Sequence, residues 1–195
     1  MKKKTFLIIL FGIFIIFAST TKVKAIDPTP IWPYKFSRGV SNTCYYIDSS
    51  ASGYTNFIDG AANNWEVTGF GYNPIYMTKV SSSYATHMDI YGKHDSWFSE
   101  ESMLGQTTHY SSNSYLMWPD EGNWFFTIIC IDVDDFPLLT VGDQQGTIAH
   151  EMGHAFGLKH YDNNRYSIMY PYVDTSLTTV IQQCDHDAIN IKYGR

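Results

Sequence analysis

The sequence predicts an α/β (α+β) domain in which three main helices pack on a twisted, five-stranded, mostly parallel sheet. Two patterns predict it. Five short runs rich in β-branched and aromatic residues are separated by polar, turn-forming stretches. Helical periodicity appears early in the chain and again late, the alternation that a mostly parallel sheet requires. A chain of 195 residues with 44% hydrophobic content is enough for one substantial core and short of two full-sized domains.

Residues 1–25 read as a signal peptide, with MKKK as the charged region and Phe6 to Ala18 as the apolar region. Val23 and Ala25 satisfy a small-residue cleavage rule, which places the cut after Ala25. A membrane anchor is the competing reading, but an apolar run of about thirteen residues is too short to span a bilayer comfortably. Cleavage and export to the extracellular medium are expected. Removal of this segment takes away five lysines and no acid, so the net charge moves from −6 to −11. Such an acidic surface repels phosphate backbones and anionic lipid, so no nucleic acid and no membrane are expected as partners of the mature chain.

Residues 26–40 form an N-terminal segment whose proline-rich lead, Asp27 to Pro33, is expected to lie extended on the surface. The folded domain, 41–195, opens with a strand at Cys44 to Ile47. A helix follows, because Tyr54, Phe57, Ile58, Ala61, Ala62 and Trp65 recur at helical spacing and make one continuous apolar face. Ile75 to Val80 and Ala85 to Tyr91 have strand length and composition, as do Leu104 to Tyr110 and Trp124 to Asp132. Thr140 begins TVGD, a capping-box-like start for a helix from Val141 to Phe156. The stretch VIQQCDHDAINIKYG supplies the last helix, with no further domain expected after it. Three cysteines permit at most one internal disulfide. Cys130 lies in the apolar run WFFTIICI and reads as a core thiol, which leaves Cys44 to Cys184 as the preferred pair.

The chemistry concentrates in HEMGHAFGLKH, His150 to His160. On a helix His150 and His154 lie about 40° apart, with roughly 6 Å of rise between them, so their imidazoles can grip one metal ion. Glu151 flanks the pair, where a general base is needed. His160 can join only if the helix stops first. Gly157 can stop it, because glycine takes the left-handed conformation without a Cβ penalty. Three neutral histidines and a water make an open, catalytic zinc site, whereas a closed structural site uses four protein ligands.

The stretch resembles the long zinc-binding consensus of the metzincin metallopeptidases, HExxHxxGxxH, matched at His150, Glu151, His154, Gly157 and His160. Downstream, SIMYP (Ser167 to Pro171) resembles the methionine turn, with Met169 as an apolar floor beneath the zinc. Because the turn runs on into tyrosine and proline, the closest likeness is to the matrixins. The resemblance implies a metzincin-like fold with upper and lower subdomains flanking a zinc cleft. It makes Leu104 to Tyr110 the antiparallel edge strand bordering that cleft, so Gln106, Thr107 and Thr108 are expected to bind an extended peptide by strand addition. It also places Pro171 and Tyr172 in the outer wall of the primary specificity pocket, with an apolar preference just after the scissile bond. Pro171 stands where astacins carry a metal-binding tyrosine, so no tyrosine ligand is expected. Tyr161 departs from the serine usual in matrixins.

Matrixins also carry a long prodomain, which is not expected in the short segment before the folded domain. Asp27 is weighed as a metal cap in a short propeptide, against the plainer turn-forming Asp-Pro. A structural zinc held by His94, Asp95 and His109 is disfavoured because the usual HxD spacing is missing, and His87, His94, His109 and His186 are expected to be exposed polar histidines. Calcium is compatible with the resemblance, but Asp132, Asp134 and Asp135 do not locate it.

The resulting expectation is a secreted, monomeric, single-domain zinc endopeptidase acting on peptide or protein substrates with one catalytic Zn²⁺. Glu151 takes the proton of the attacking water and passes it to the leaving amine. Two alternatives stand beside it. One is a peptidase restricted to short or cell-wall peptides, the other a binding or inhibitory module that zinc merely stiffens.

Overall fold

The structure, a computed structural model, describes residues 27–98, 103–173, 176 and 178–194; the expected signal peptide lies outside them. Its strands are β1 (Thr43–Ile47), β2 (Met77–Val80), β3 (Met88–Lys93), β4 (Gly105–Tyr110), β5 (Leu116–Met117) and β6 (Phe126–Asp132). Its helices are α1 (Thr55–Glu66), α2 (Val141–Ala155) and α3 (Gln183–Tyr193). The sheet order is β2-β1-β3-β6-β4-β5. β2, β1, β3 and β6 run parallel, and β4 is antiparallel to β6.

All five expected strands are present, and β5 makes a sixth. Two residues are too few to show a period of two, so the sequence pattern is silent on it. β5 pairs only with His109 and Tyr110, so among the described residues the outer edge of β4 is open from Gly105 to Thr108.

The parallel strands carry the core on the face that packs with α1 and α2. Ile90, Ile129 and Ile131 are fully buried there, together with Ile58, Ala61 and Trp65 of α1 and Ile148, Ala149 and Met152 of α2. Alanines at 61 and 62 let α1 come close to α2, and the Trp65 indole donates across the gap to Ala149 O (2.8 Å). Trp65 also meets Phe156 edge-on at 5.5 Å, so α1 fixes both ends of the last two turns of α2.

The N-terminal segment is extended and mostly exposed, as expected, and it is tied down along the surface by backbone bonds. Thr29 N bonds Cys184 O, Trp32 N bonds Gly157 O, and Lys159 N bonds Pro30 O. Thr29 is buried as a result.

The expected Cys44–Cys184 disulfide is not formed, and all three cysteines are free thiols. Cys44 sits in β1 between the registers of β2 and β3, whereas Cys184 opens α3, where its sulfur meets Asn164 Nδ2 at 3.5 Å. The two belong to different elements on which the fold makes separate demands. Burial pushes the thiols of Cys130 and Cys184 up to about 11, which makes both inert at neutral pH.

Candidate metal centre and active site

α2 is built to start and stop at fixed places. Thr140 caps its N-terminus, accepting from Asp143 N (3.2 Å) and donating to the Asp143 carboxylate (2.6 Å). At the other end Gly157 takes φ +92°, Gly157 N bonds His154 O (2.9 Å) and Leu158 N bonds Gly153 O (2.9 Å). That pair of bonds is the Schellman closure. Side chains complete the last turn: Trp124 reaches Ala155 O and Tyr193 reaches Phe156 O, and His109 gives His154 O a second donor. The chain then turns back and delivers His160.

The metal-ligating atoms of His150, His154 and His160 all lie within 4.8 Å of one another, the one such group of three among the described residues. His150 Nδ1 donates to Ile168 O (2.8 Å) and His154 Nδ1 to Leu158 O (2.9 Å). A carbonyl accepts only, so each Nδ1 carries the proton and each Nε2 keeps a lone pair for a ligand. Burial lowers His150 to about 4 and holds His154 well below the ordinary histidine range, which keeps both neutral. These are the states a metal needs. His160 is the exposed member.

Glu151 is 6% exposed, and burial pushes its carboxyl up to about 7. The Thr107 hydroxyl donates to its Oε2 (2.7 Å). Met169 is fully buried against α2: a Cβ at Gly153 would overlap its sulfur, so glycine there is the space that Met169 fills. The turn bearing Met169 is held by Asp185 of α3. Its carboxylate accepts from Ser167 Oγ (2.5 Å) and Ile168 N (3.0 Å), and also from Thr29 Oγ1 (2.6 Å) and Gln182 N (3.0 Å).

A cleft cavity of about 830 Å³ brings together Gln106, Thr107, His150, Glu151, His154, His160, Pro171 and Tyr172. Thr108 is not among its walls: it lies further along β4, where its hydroxyl is 3.4 Å from Ile128 O. Of the remaining histidines only His94 is exposed, where it pairs with Asp134 at 2.8 Å. His87, His109 and His186 are buried, contrary to the expectation of exposed polar histidines. Each is drawn in by a partner: His87 accepts from Cys44 N, His109 donates to His154 O, and His186 meets Thr68 and Asn190. His109 is thus committed to α2 and His94 to Asp134. In the acidic loop, the Asp132 carboxylate accepts from Asp134 N (2.9 Å).

The sequence reading missed Ser167 and Asp185, and the contact of Thr107 with Glu151. The alternation of Gly105, Thr107 and His109 along one strand face was the available signal for the last. Among the described residues no helix is long and apolar enough to cross a membrane. A search of the curated proteins finds no match. The family model described as Matrixin matches residues 83–194, more than half of the chain, from the approach to β3 through the end of α3. With that match spanning the histidine cluster and the methionine turn, the chain belongs to the matrixins, a family of metallopeptidases.

Proposed function

We propose that the protein is a secreted zinc endopeptidase that hydrolyses peptide bonds in extended protein or peptide segments. The observation that carries the reading is the three-histidine cluster, with ligand atoms within 4.8 Å, beside a buried glutamate. The donor set fits zinc: neutral imidazoles offering Nε2, two of them oriented by carbonyls on Nδ1. His150, His154 and His160 would hold the ion. When bound, zinc supplies a Lewis acid that polarises a carbonyl and makes water more acidic.

The chain's own residues do the rest. The open edge of β4 at Gln106 offers backbone groups to an extended substrate. Pro171 and Tyr172 wall the cavity on the far side and favour an apolar side chain after the scissile bond. Glu151, set beside the cluster and outside it, takes a proton from the attacking water and hands it to the leaving amine. Met169 and Gly157 are structural, one as apolar packing beneath the helix and the other as its stop. Export is part of the reading and is supported by the basic and apolar run in residues 1–25; a monomeric state is proposed with it.

The test separates base from ligand. Glu151→Ala should keep zinc and fold while peptide cleavage falls at least about a hundredfold, the scale of general-base catalysis. His154→Ala should lose zinc affinity and stability together, because metal binding is coupled to folding. Zinc content, melting temperature and turnover are measured on both. Cleavage by Glu151→Ala at near the parent rate would refute the mechanism.

A further inference from the structure

Alternate residues of a strand share a face. In β4 the face formed by Gly105, Thr107 and His109 is turned against α2, and each of the three meets a residue of the functional helix. His109 Nε2 donates to His154 O (3.1 Å). Thr107 Oγ1 lies 2.7 Å from Glu151 Oε2 and 2.9 Å from Glu151 O. A Cβ placed on Gly105 would stand 2.8 Å from Glu151 Cγ, closer than real Cβ atoms come, and 3.0 Å from Oε1. The buried carboxylate is therefore held from two sides. A hydroxyl grips one oxygen, and a missing side chain makes room for the other.

We propose that Thr107 and Gly105 are positioning residues for Glu151, an inference that rests on the reading of Glu151 as the general base. A glutamate has three side-chain torsions, and its terminal one is broad, so burial alone does not fix the direction of its oxygens. The Thr107 hydroxyl has one proton to give. Donated to Oε2, it pins that oxygen and with it the plane of the carboxyl group. Oε1 accepts no hydrogen bond among the described residues, so it is the oxygen left to receive a proton from water. Gly105 keeps its place open. Thr107 thus serves the reaction through its side chain, while the backbone of the same strand stays available at the open edge. The two jobs do not compete, since strand side chains stand roughly perpendicular to the sheet and the ladder bonds lie within it.

The zinc-loaded parent is compared with Thr107→Val, which keeps the size and removes the donor, with Thr107→Ser, which restores it, and with Gly105→Ala. A displaced base costs up to about a hundredfold, so Thr107→Val should lose roughly 10- to 100-fold in kcat with KM changed less than about twofold. Thr107→Ser should stay within about threefold of the parent, and Gly105→Ala should lose kcat as Thr107→Val does. Zinc content and melting temperature should be those of the parent throughout. Crystal structures supply a readout independent of activity: the Glu151 carboxylate should move from its place in Thr107→Val and Gly105→Ala and return in Thr107→Ser. A parent that binds zinc yet cleaves nothing overturns the reading of Glu151 and this inference with it. A cleaving parent whose Thr107→Val variant keeps its kcat, or keeps the carboxylate in place, overturns this inference alone.

Discussion

Asp185 is where the stability of the active-site floor can be tested most directly. It is fully buried in the first turn of α3 and accepts four hydrogen bonds, from Thr29 Oγ1, Ser167 Oγ, Ile168 N and Gln182 N. Asp185→Ala strands all four donors. The two hydroxyls can turn to each other, being 3.2 Å apart, and Gln182 N is only partly buried and can find water. Ile168 N has no such escape. A buried donor left unpaired costs about 1–3 kcal/mol, and the weaker compensation of the other three brings the expected loss to about 3–4 kcal/mol. For a domain of this size that lowers the melting temperature by about 10 °C. The loss should reach the metal as well, because the same turn presents Ile168 O to His150 Nδ1. Thermal unfolding followed by circular dichroism, in chelator and again with zinc, measures both effects. Asp185→Ala melting within about 2 °C of the parent in chelator would show that the network does not hold the turn, and the reasoning would fail.

Three further outcomes are expected. Metal analysis after dialysis should find one zinc per chain, and two would restore the site set aside at His94, Asp95 and His109. Gly157→Ala should cost about 2 kcal/mol in chemical denaturation, because φ is +92° and the new Cβ would stand 2.9 Å from Trp124 Cη2. His87 and His186, outside the metal cluster, are both held below the ordinary histidine range by burial. Their stability contribution is therefore present above about pH 6.5 and lost as pH falls, since the unfolded chain takes up protons first. The chelated protein should melt lower as pH drops from about 6.5 to 5, and His186→Gln should flatten that slope.

Local sequence was sufficient wherever the physics is local. The spacing of His150 and His154 needs only helical periodicity, and the stop before His160 needs only a residue that accepts positive φ, which Gly157 does. Thr140 as a cap and the apolar stripe of α1 from Ile58 to Trp65 are legible for the same reason. Tertiary structure decided what depends on residues far apart in the chain. β5 exists because β4 offers it partners, not because two residues carry a pattern. Asp185 meets the methionine turn across 17 residues and Thr29 across 156, and Thr107 finds Glu151 across 44. No periodicity encodes such meetings. His87, His109 and His186 were misjudged as exposed for the same reason: a histidine can be buried neutral when a distant partner takes its ring nitrogen, and only the packed chain supplies that partner. The sequence determined that His150, His154 and His160 gather at one place with Glu151 beside them. Packing determined what holds them in place.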